Sequence, residues 1–400
     1  MVVNCEIQFE NNPQGCYFGG QVMTGKIVLS ADKVKQVKAV VLKIRGYANT
    51  YWSEKGTKDK RTHYRGHVDY INSLTYLISP NSSDEPVIIE PGIHSFSFAC
   101  HIPTTCPSSY EGNRGHIRYV VKVKLLRPWK YDEKFSQAFT VIKIMDLNYD
   151  TPLLKLPTAN DKTKVFCCGP MKSEPLQINV QVPQTGYVPG QLIPVTIVVN
   201  NDTKVAITEI RVRLVMTVCV SSQIPRAKAI DEHTTISKLL GDPVPVLCKK
   251  QFTYLLPVPA TPPTCFNLCS IIQIGYHIEV EAKMKGLFYH NQMIGIPVTI
   301  GNVPLVGVVQ QQPKTAQAPM MDQEENPGVV NDLPWSNNES IPCPSFAEAV
   351  FMPQADIAEG QKHDYGETKY SPKYPVFDIP SPSIGDTNNA TVDANKSTWL

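Results

Sequence analysis

Tyr17-Phe-Gly-Gly20-Gln21-Val-Met-Thr-Gly-Lys-Ile-Val-Leu29 and Tyr187-Val-Pro-Gly190-Gln191-Leu-Ile-Pro-Val-Thr-Ile-Val-Val199 stand 170 positions apart and read as the same piece of backbone. At that offset Met23, Gly25, Ile27 and Leu29 meet Ile193, Val195, Ile197 and Val199. Further on, Val40, Leu42 and Ile44 meet Ile210, Val212 and Leu214. Apolar residues at every second position define a strand with one buried face, here entered through a glycine turn. Tyr119, Val121, Val123 and Leu125 match Tyr276, Ile278, Val280 and Ala282 at an offset of 157, so the first copy is 13 residues longer between Ile44 and Tyr119. A repeat of this length is a whole domain, not a solenoid unit. The chain is a tandem of two homologous β-domains.

Working outward, period-2 stretches predict first-copy strands at 5–9, 22–29, 37–45, 69–78, 94–100, 117–126 and 135–141. The second copy offers 176–182, 192–200, 207–218, 251–256, 271–282 and 293–300. Turn residues separate them, as in Asn11-Asn-Pro-Gln-Gly15 and Glu111-Gly-Asn-Arg-Gly115. No sustained helical period competes, which points to an all-β chain of two immunoglobulin-like β-sandwiches. The divisions read from sequence are a sandwich over 1–148, a linker over 149–172 with Pro152, Pro157, Gly169 and Pro170, and a second sandwich over 173–303. Residues 304–400, rich in Pro, Asn and Ser, bury too little apolar surface to offset chain entropy and are expected to be a disordered acidic tail.

Charge is uneven. The overall +2 divides into about +10 over the first 300 residues and −8 over the last hundred. That spread lacks the concentrated basic stripe of a nucleic-acid binder and suits contact with phosphates or an anionic membrane surface. The N-terminus has no signal-peptide pattern, and no apolar run is long enough to cross a bilayer. The chain has eleven cysteines without a CxxC pair, which fits free thiols in a reducing compartment and gives no zinc site. The expected location is cytoplasmic.

Four strings then carry a resemblance: Pro107-Ser-Ser-Tyr-Glu-Gly-Asn-Arg-Gly115-His-Ile-Arg-Tyr119, Asp146-Leu147-Asn148, Cys167-Cys168-Gly169-Pro170 and Gly186-Tyr-Val-Pro-Gly190-Gln191. In this order they resemble the arrestin family, in its arrestin domain-containing (alpha-arrestin) branch, over roughly residues 5–300. The resemblance implies two cupped arrestin-like sandwiches and a non-enzymatic trafficking adaptor. It also implies partners: cytoplasmic tails of membrane receptors or transporters, and WW-domain HECT ubiquitin ligases. Recruitment to the plasma membrane or endosomes by peripheral association follows. The alternative is a receptor-desensitising arrestin that recognises phosphorylated receptors without a ligase.

Candidate sites follow from residue chemistry. Gly20 and Gly190 are expected to supply a positive φ at the turn into a strand. In the tail, Pro342-Cys343-Pro344-Ser-Phe346 and Ser371-Pro372-Lys-Tyr374 resemble the PPxY ligand of WW domains, each missing a residue that the aromatic groove contacts. Pro344, Phe346, Pro372 and Tyr374 are therefore degenerate WW-ligand residues. Tyr374-Pro-Val-Phe377 also fits the tyrosine-based sorting signal read by clathrin adaptors, a pattern short enough to arise by chance. The basic hairpin with Lys58, Lys60, Arg61 and Arg65 is a candidate contact for acidic or phosphorylated cargo. Such charge equally serves solubility and edge protection. There is no GxSxG, HExxH, Walker A or dinucleotide fingerprint, so no catalytic residue, cofactor or metal is expected.

Overall fold

The computed structural model describes residues 3–56, 60–81, 85–150, 152–168, 171–172, 174–286, 289–306 and 370–377. The first domain holds β1 (Val3–Phe9), β2 (Cys16–Phe18), β3 (Val22–Ala31), β4 (Lys35–Val37), β5 (Ala39–Lys55), β6 (Arg61–Ile78), β7 (Val87–Ile89), β8 (Gly92–His101), β9 (Tyr110–Glu111), β10 (Gly115–Leu126) and β11 (Glu133–Ile142). The second holds β12 (Thr158–Lys164), β13 (Cys167–Cys168), β14 (Met171–Lys172), β15 (Leu176–Val182), β16 (Gly186–Tyr187), β17 (Leu192–Asn201), β18 (Ile207–Ser222), β19 (Lys228–Gly241), β20 (Cys248–Pro257), β21 (Ile272–Met284) and β22 (Gln292–Ile300).

Each domain is two facing sheets, and the strand orders correspond. The sheet β1-β3-β8 matches β15-β17-β20, and β2-β11-β10-β5-β6 matches β16-β22-β21-β18-β19. Pairing is antiparallel except at β2 with β11 and β16 with β22, the same exception in both copies. The period-2 pattern does the sorting: Met23, Ile27 and Leu29 of β3, and Ile193, Val195, Ile197 and Val199 of β17, are all buried between sheets. One continuous apolar cluster runs through both sandwiches.

The repeat extends to single hydrogen bonds. Gly20 and Gly190 have φ of +98° and +96°, a region where a side chain is strained. Each is followed by a glutamine whose Oε1 accepts the N–H two residues before the glycine, Phe18 at 2.8 Å and Val188 at 2.9 Å. Tyr119 and Tyr276 donate their hydroxyls to Pro107 O and Pro262 O, each at 2.7 Å. The chain thus builds the same turn and the same tyrosine anchor twice.

Three features depart from the sequence reading. The β5–β6 hairpin is longer than the segments expected, and it reaches the second sandwich. Thr50 Oγ1 donates to Ser221 O at 2.7 Å, Arg65 N–H donates to Ile224 O at 2.8 Å, and Lys228 Nζ lies 2.6 Å from Glu54. The stretch expected as a linker contains β12, an exposed strand that pairs along β15. Finally, residues 370–377 lie packed on the body instead of belonging to a uniformly unstructured tail. Cys5, Cys16, Cys100, Cys106, Cys219, Cys248, Cys265 and Cys269 are free thiols, most of them buried.

Candidate functional site

The site grows from the end of β11. Ser109 N–H donates to Val141 O at 2.8 Å, while Val141 N–H donates to Ser109 Oγ at 3.0 Å and Lys143 N–H to Ser108 Oγ at 2.9 Å. The two serines of the Pro107-Ser-Ser-Tyr110 string therefore dress this strand end with their side chains. The Ser109 carbonyl is left facing outward as an acceptor. It receives the Tyr374 hydroxyl at 2.8 Å.

Tyr374 is only 1% exposed. Burial is the main cause that holds its phenol well above the ordinary tyrosine range, and nearby Tyr370, Tyr276, Tyr110 and Glu111 add to it. Around it the segment is fixed from both ends. Tyr370 donates to Phe139 O at 3.0 Å and shares a hydrogen bond with Thr140 Oγ1 at 3.1 Å. Lys373 N–H donates to Thr140 Oγ1 at 3.3 Å, and its Nζ to Gln14 O at 3.3 Å. Pro372 is buried as well.

The far end crosses to the second sandwich. Phe377 N–H donates to Pro189 O at 3.0 Å, and the Phe377 side chain packs on a small cluster of Leu147, Leu154, Val188 and Leu305. A Cβ at Gly190 would stand 2.1 Å from Phe377 O, so the glycine turn also makes room for the segment. Leu147 belongs to the Asp146-Leu147-Asn148 string. Its neighbour Asn148 donates to Pro304 O at 2.8 Å and accepts the Val306 N–H at 2.8 Å, holding the exit of the second sandwich against the exit of the first. Three of the four strings singled out in the sequence converge at this seam.

A second surface lies on the outer face of β5, β10 and β11. Lys43, Arg45, Lys122, Lys124, Lys134 and Ser136, with Phe135, line a cavity of about 220 Å³. Lys43 sits directly opposite Lys122, and Lys124 opposite Lys134. Like charges in such cross-strand positions destabilise a sheet, so an anion held there would relieve a built-in repulsion. Two acids temper the patch: Asp69 bonds Arg45 at 2.8 Å and Asp132 lies 3.4 Å from Lys124.

This basic face is separate from the basic hairpin read from sequence. Lys60 and Arg61 are exposed at the hairpin end, and Arg65 lays its guanidinium over the Tyr51 ring at 5.6 Å while its main chain bridges to Ile224. Lys58, Cys343, Pro344 and Phe346 lie outside the described residues. The face escaped sequence reading because its lysines come from three strands. The alternation of Lys122 and Lys124 with buried valines was the one local signal.

A buried ion pair stiffens the site from below. Arg118 and Glu111 are 4% and 7% exposed and pair through both guanidinium arms, the second at 2.6 Å. Among the described residues, no group of three or more His, Cys, Asp or Glu is placed to hold a metal, and no helix is long and apolar enough to cross a membrane.

Two tandem sandwiches of matched topology, joined by a short clasp, define an arrestin-type body. The family models agree: the arrestin N-terminal domain matches residues 5–148 and the arrestin C-terminal domain matches residues 172–305. The chain is similar to arrestin domain-containing protein 17 of Caenorhabditis elegans, 26% identical over 93% of this chain and 98% of the relative. It is similar to human arrestin domain-containing protein 4, 23% identical over 78% of this chain and 75% of the relative. Rat arrestin domain-containing protein 1 is 26% identical over 70% and 59%. The chain belongs to the arrestin family, in its arrestin domain-containing branch. Its class of work is that of an arrestin-like adaptor.

Proposed function

We propose that this adaptor links the cytoplasmic tails of membrane receptors or transporters to sorting machinery, acting from the cytoplasm at the plasma membrane or endosomes. The observation that carries the reading is the basic outer face of β5, β10 and β11. Its opposed lysines suit an acidic or phosphorylated segment, and the same charge favours peripheral contact with an anionic membrane. The tail supplies the other half: degenerate WW-ligand sites at Pro344/Phe346 and Pro372/Tyr374 for HECT ubiquitin ligases, and Tyr374/Phe377 for a clathrin adaptor. The test is a titration of the full chain with a doubly phosphorylated serine peptide and its unphosphorylated twin. Lys43→Glu with Lys134→Glu should weaken the phosphorylated peptide by about tenfold or more, roughly 1.4 kcal/mol. Raising the salt should weaken the wild type likewise. An unchanged Kd removes this face from the function.

A second reading, desensitisation of phosphorylated receptors without ligase recruitment, is favoured by the burial of Pro372 and Tyr374. It shares the basic face and drops the ligase. Binding of the full chain to WW domains separates the two.

A further inference from the structure

The turn between β10 and β11 reads Arg127-Pro-Trp129-Lys130-Tyr131-Asp132. Trp129 has a φ of +57°, a region that side chains rarely adopt and that glycine takes without strain. The ring gains no packing in return, because Trp129 is fully exposed and Tyr131 is 95% exposed. Yet the turn itself is braced. Arg127 Nε donates to Tyr131 O at 2.8 Å, and the same guanidinium pairs with Glu133. Two large aromatic rings are thus held out into solvent by a fixed loop. Such an outlier, with no structural return, points to a function outside the fold.

The rest of that end of the first sandwich has the same character. Ala31 pairs with Val3 and with Gly92, and Lys38 N–H donates to Leu126 O at 2.6 Å, so the ends of β1, β3, β8 and β10 meet there. Val34, Ile88 and Ile93 are exposed at this end. It lies at the opposite end of β5 from Thr50 and Glu54, which reach the second sandwich. Cations surround the rings. Lys33, Lys38 and Lys130 are exposed, and Lys124 and Lys134 of the basic outer face stand on the two strands that carry the turn. Of the acids, Glu133 is engaged by Arg127 and Asp132 lies 3.4 Å from Lys124, while Asp32, Glu85 and Glu90 are exposed.

We propose that this outer end of the first sandwich is an interfacial anchor for an anionic lipid bilayer, with Trp129 and Tyr131 as the residues that enter it. Indole and phenol rings settle at the level of lipid headgroups, and lysines beside them meet lipid phosphates. A projecting, braced turn suits that layer. It requires no pocket matched to it, and it gives up little conformational freedom on seating. The anchor rests on the peripheral-membrane part of the proposed function. To that electrostatic contact it adds an apolar component and a fixed presentation, with the basic outer face set beside the bilayer.

The test is co-sedimentation of the full chain with phosphatidylcholine vesicles, with and without phosphatidylserine. The wild type should bind the phosphatidylserine vesicles. Trp129→Gly with Tyr131→Ser removes both rings and keeps the turn, since glycine takes the positive φ freely. Its partition should fall about tenfold or more. Its unfolding midpoint should equal or exceed the wild type's, and its Kd for the doubly phosphorylated peptide should not move. Lys130→Glu should weaken vesicle binding most at low salt. The failures are distinct. If the wild type ignores every vesicle, the membrane part of the proposed function falls and the anchor with it, which leaves the turn to a protein partner. If the wild type binds and the double variant binds equally well, the anchor alone is overturned and the basic face suffices. A lowered midpoint in the double variant assigns the rings to the fold and overturns the proposal.

Discussion

Gly46 on β5 lies directly opposite Tyr119 on β10, and a Cβ at Gly46 would stand 2.5 Å from the Tyr119 ring. The ring is held because its hydroxyl reaches Pro107 O, so it has no way to swing clear. Gly46→Ala should therefore overpack the first sandwich, at a cost of about 1–3 kcal/mol. The urea midpoint reports it, with the slope unchanged. In the second copy Met216 faces Tyr276 with its Sδ 3.3 Å from the hydroxyl, which shows the same tyrosine accommodated by a flexible side chain. A Gly46→Ala midpoint equal to wild type would mean the ring relaxes.

The buried Glu111–Arg118 pair makes a second prediction. Glu111→Gln leaves the Arg118 guanidinium, 4% exposed, without its carboxylate. Breaking one side of such a pair costs about 3–5 kcal/mol. Replacing both, as Glu111→Leu with Arg118→Met, should recover most of that loss. Thermal or denaturant unfolding of the two variants distinguishes the outcomes, and a double variant worse than the single one would contradict this account.

His116 predicts a pH dependence. Burial, and then the neighbouring Arg118, hold its pKa down to about 3. The unfolded chain titrates near 6.5. As pH falls below about 6.5, the unfolded state takes up a proton that the folded state refuses, so stability is lost from there down toward about pH 3. Between pH 7 and pH 5 the loss from this residue is about 2 kcal/mol. His116→Gln should flatten the stability profile over that interval. A variant profile parallel to wild type would show that the imidazole is not the source.

The tail gives a gain-of-function prediction. Cys343→Pro with Phe346→Tyr restores both groove contacts in a string that otherwise resembles the WW ligand. Titration against several WW domains should show tightening of about tenfold or more, on the order of 1–2 kcal/mol. Unchanged binding would mean the site is not a departed ligand, and ligase recruitment would lose its support.

The body was legible because alternation and turn chemistry are local. Met23/Ile27/Leu29 and Ile193/Val195/Ile197 announce their strands, and Gly20 and Gly190 stand at the turns that need them. What escaped was decided by distant partners. β19, which opens Lys-Ala-Ile-Asp-Glu-His-Thr-Thr, is an edge strand whose inward-facing side is only half-buried and largely polar, so no apolar alternation marks it. β12 owes its form to pairing with β15, and its own sequence, Thr-Ala-Asn-Asp-Lys-Thr-Lys, carries no strand signal. The hairpin from Trp52 to Arg65 read as a charged tip, yet Trp52 is buried and stacks on Tyr64 at 5.2 Å between the sandwiches' facing edges. The tail composition argued for disorder as a whole. It could not show that Tyr370, Tyr374 and Phe377 meet acceptors and an apolar patch supplied by residues far away in the sequence.

The free cysteines have a consequence for the chain's redox chemistry. The thiolate is the form that is alkylated or oxidised, and burial withholds it: Cys5 is pushed up to about 12 and Cys106 to about 11, with Cys100 and Cys265 raised as well. Near neutral pH these sulfurs are all but inert while the sandwiches stay shut. Their labelling by a thiol reagent therefore becomes a clock for the opening of each sandwich, with the buried Cys100 and Cys106 timing the first and Cys265 the second.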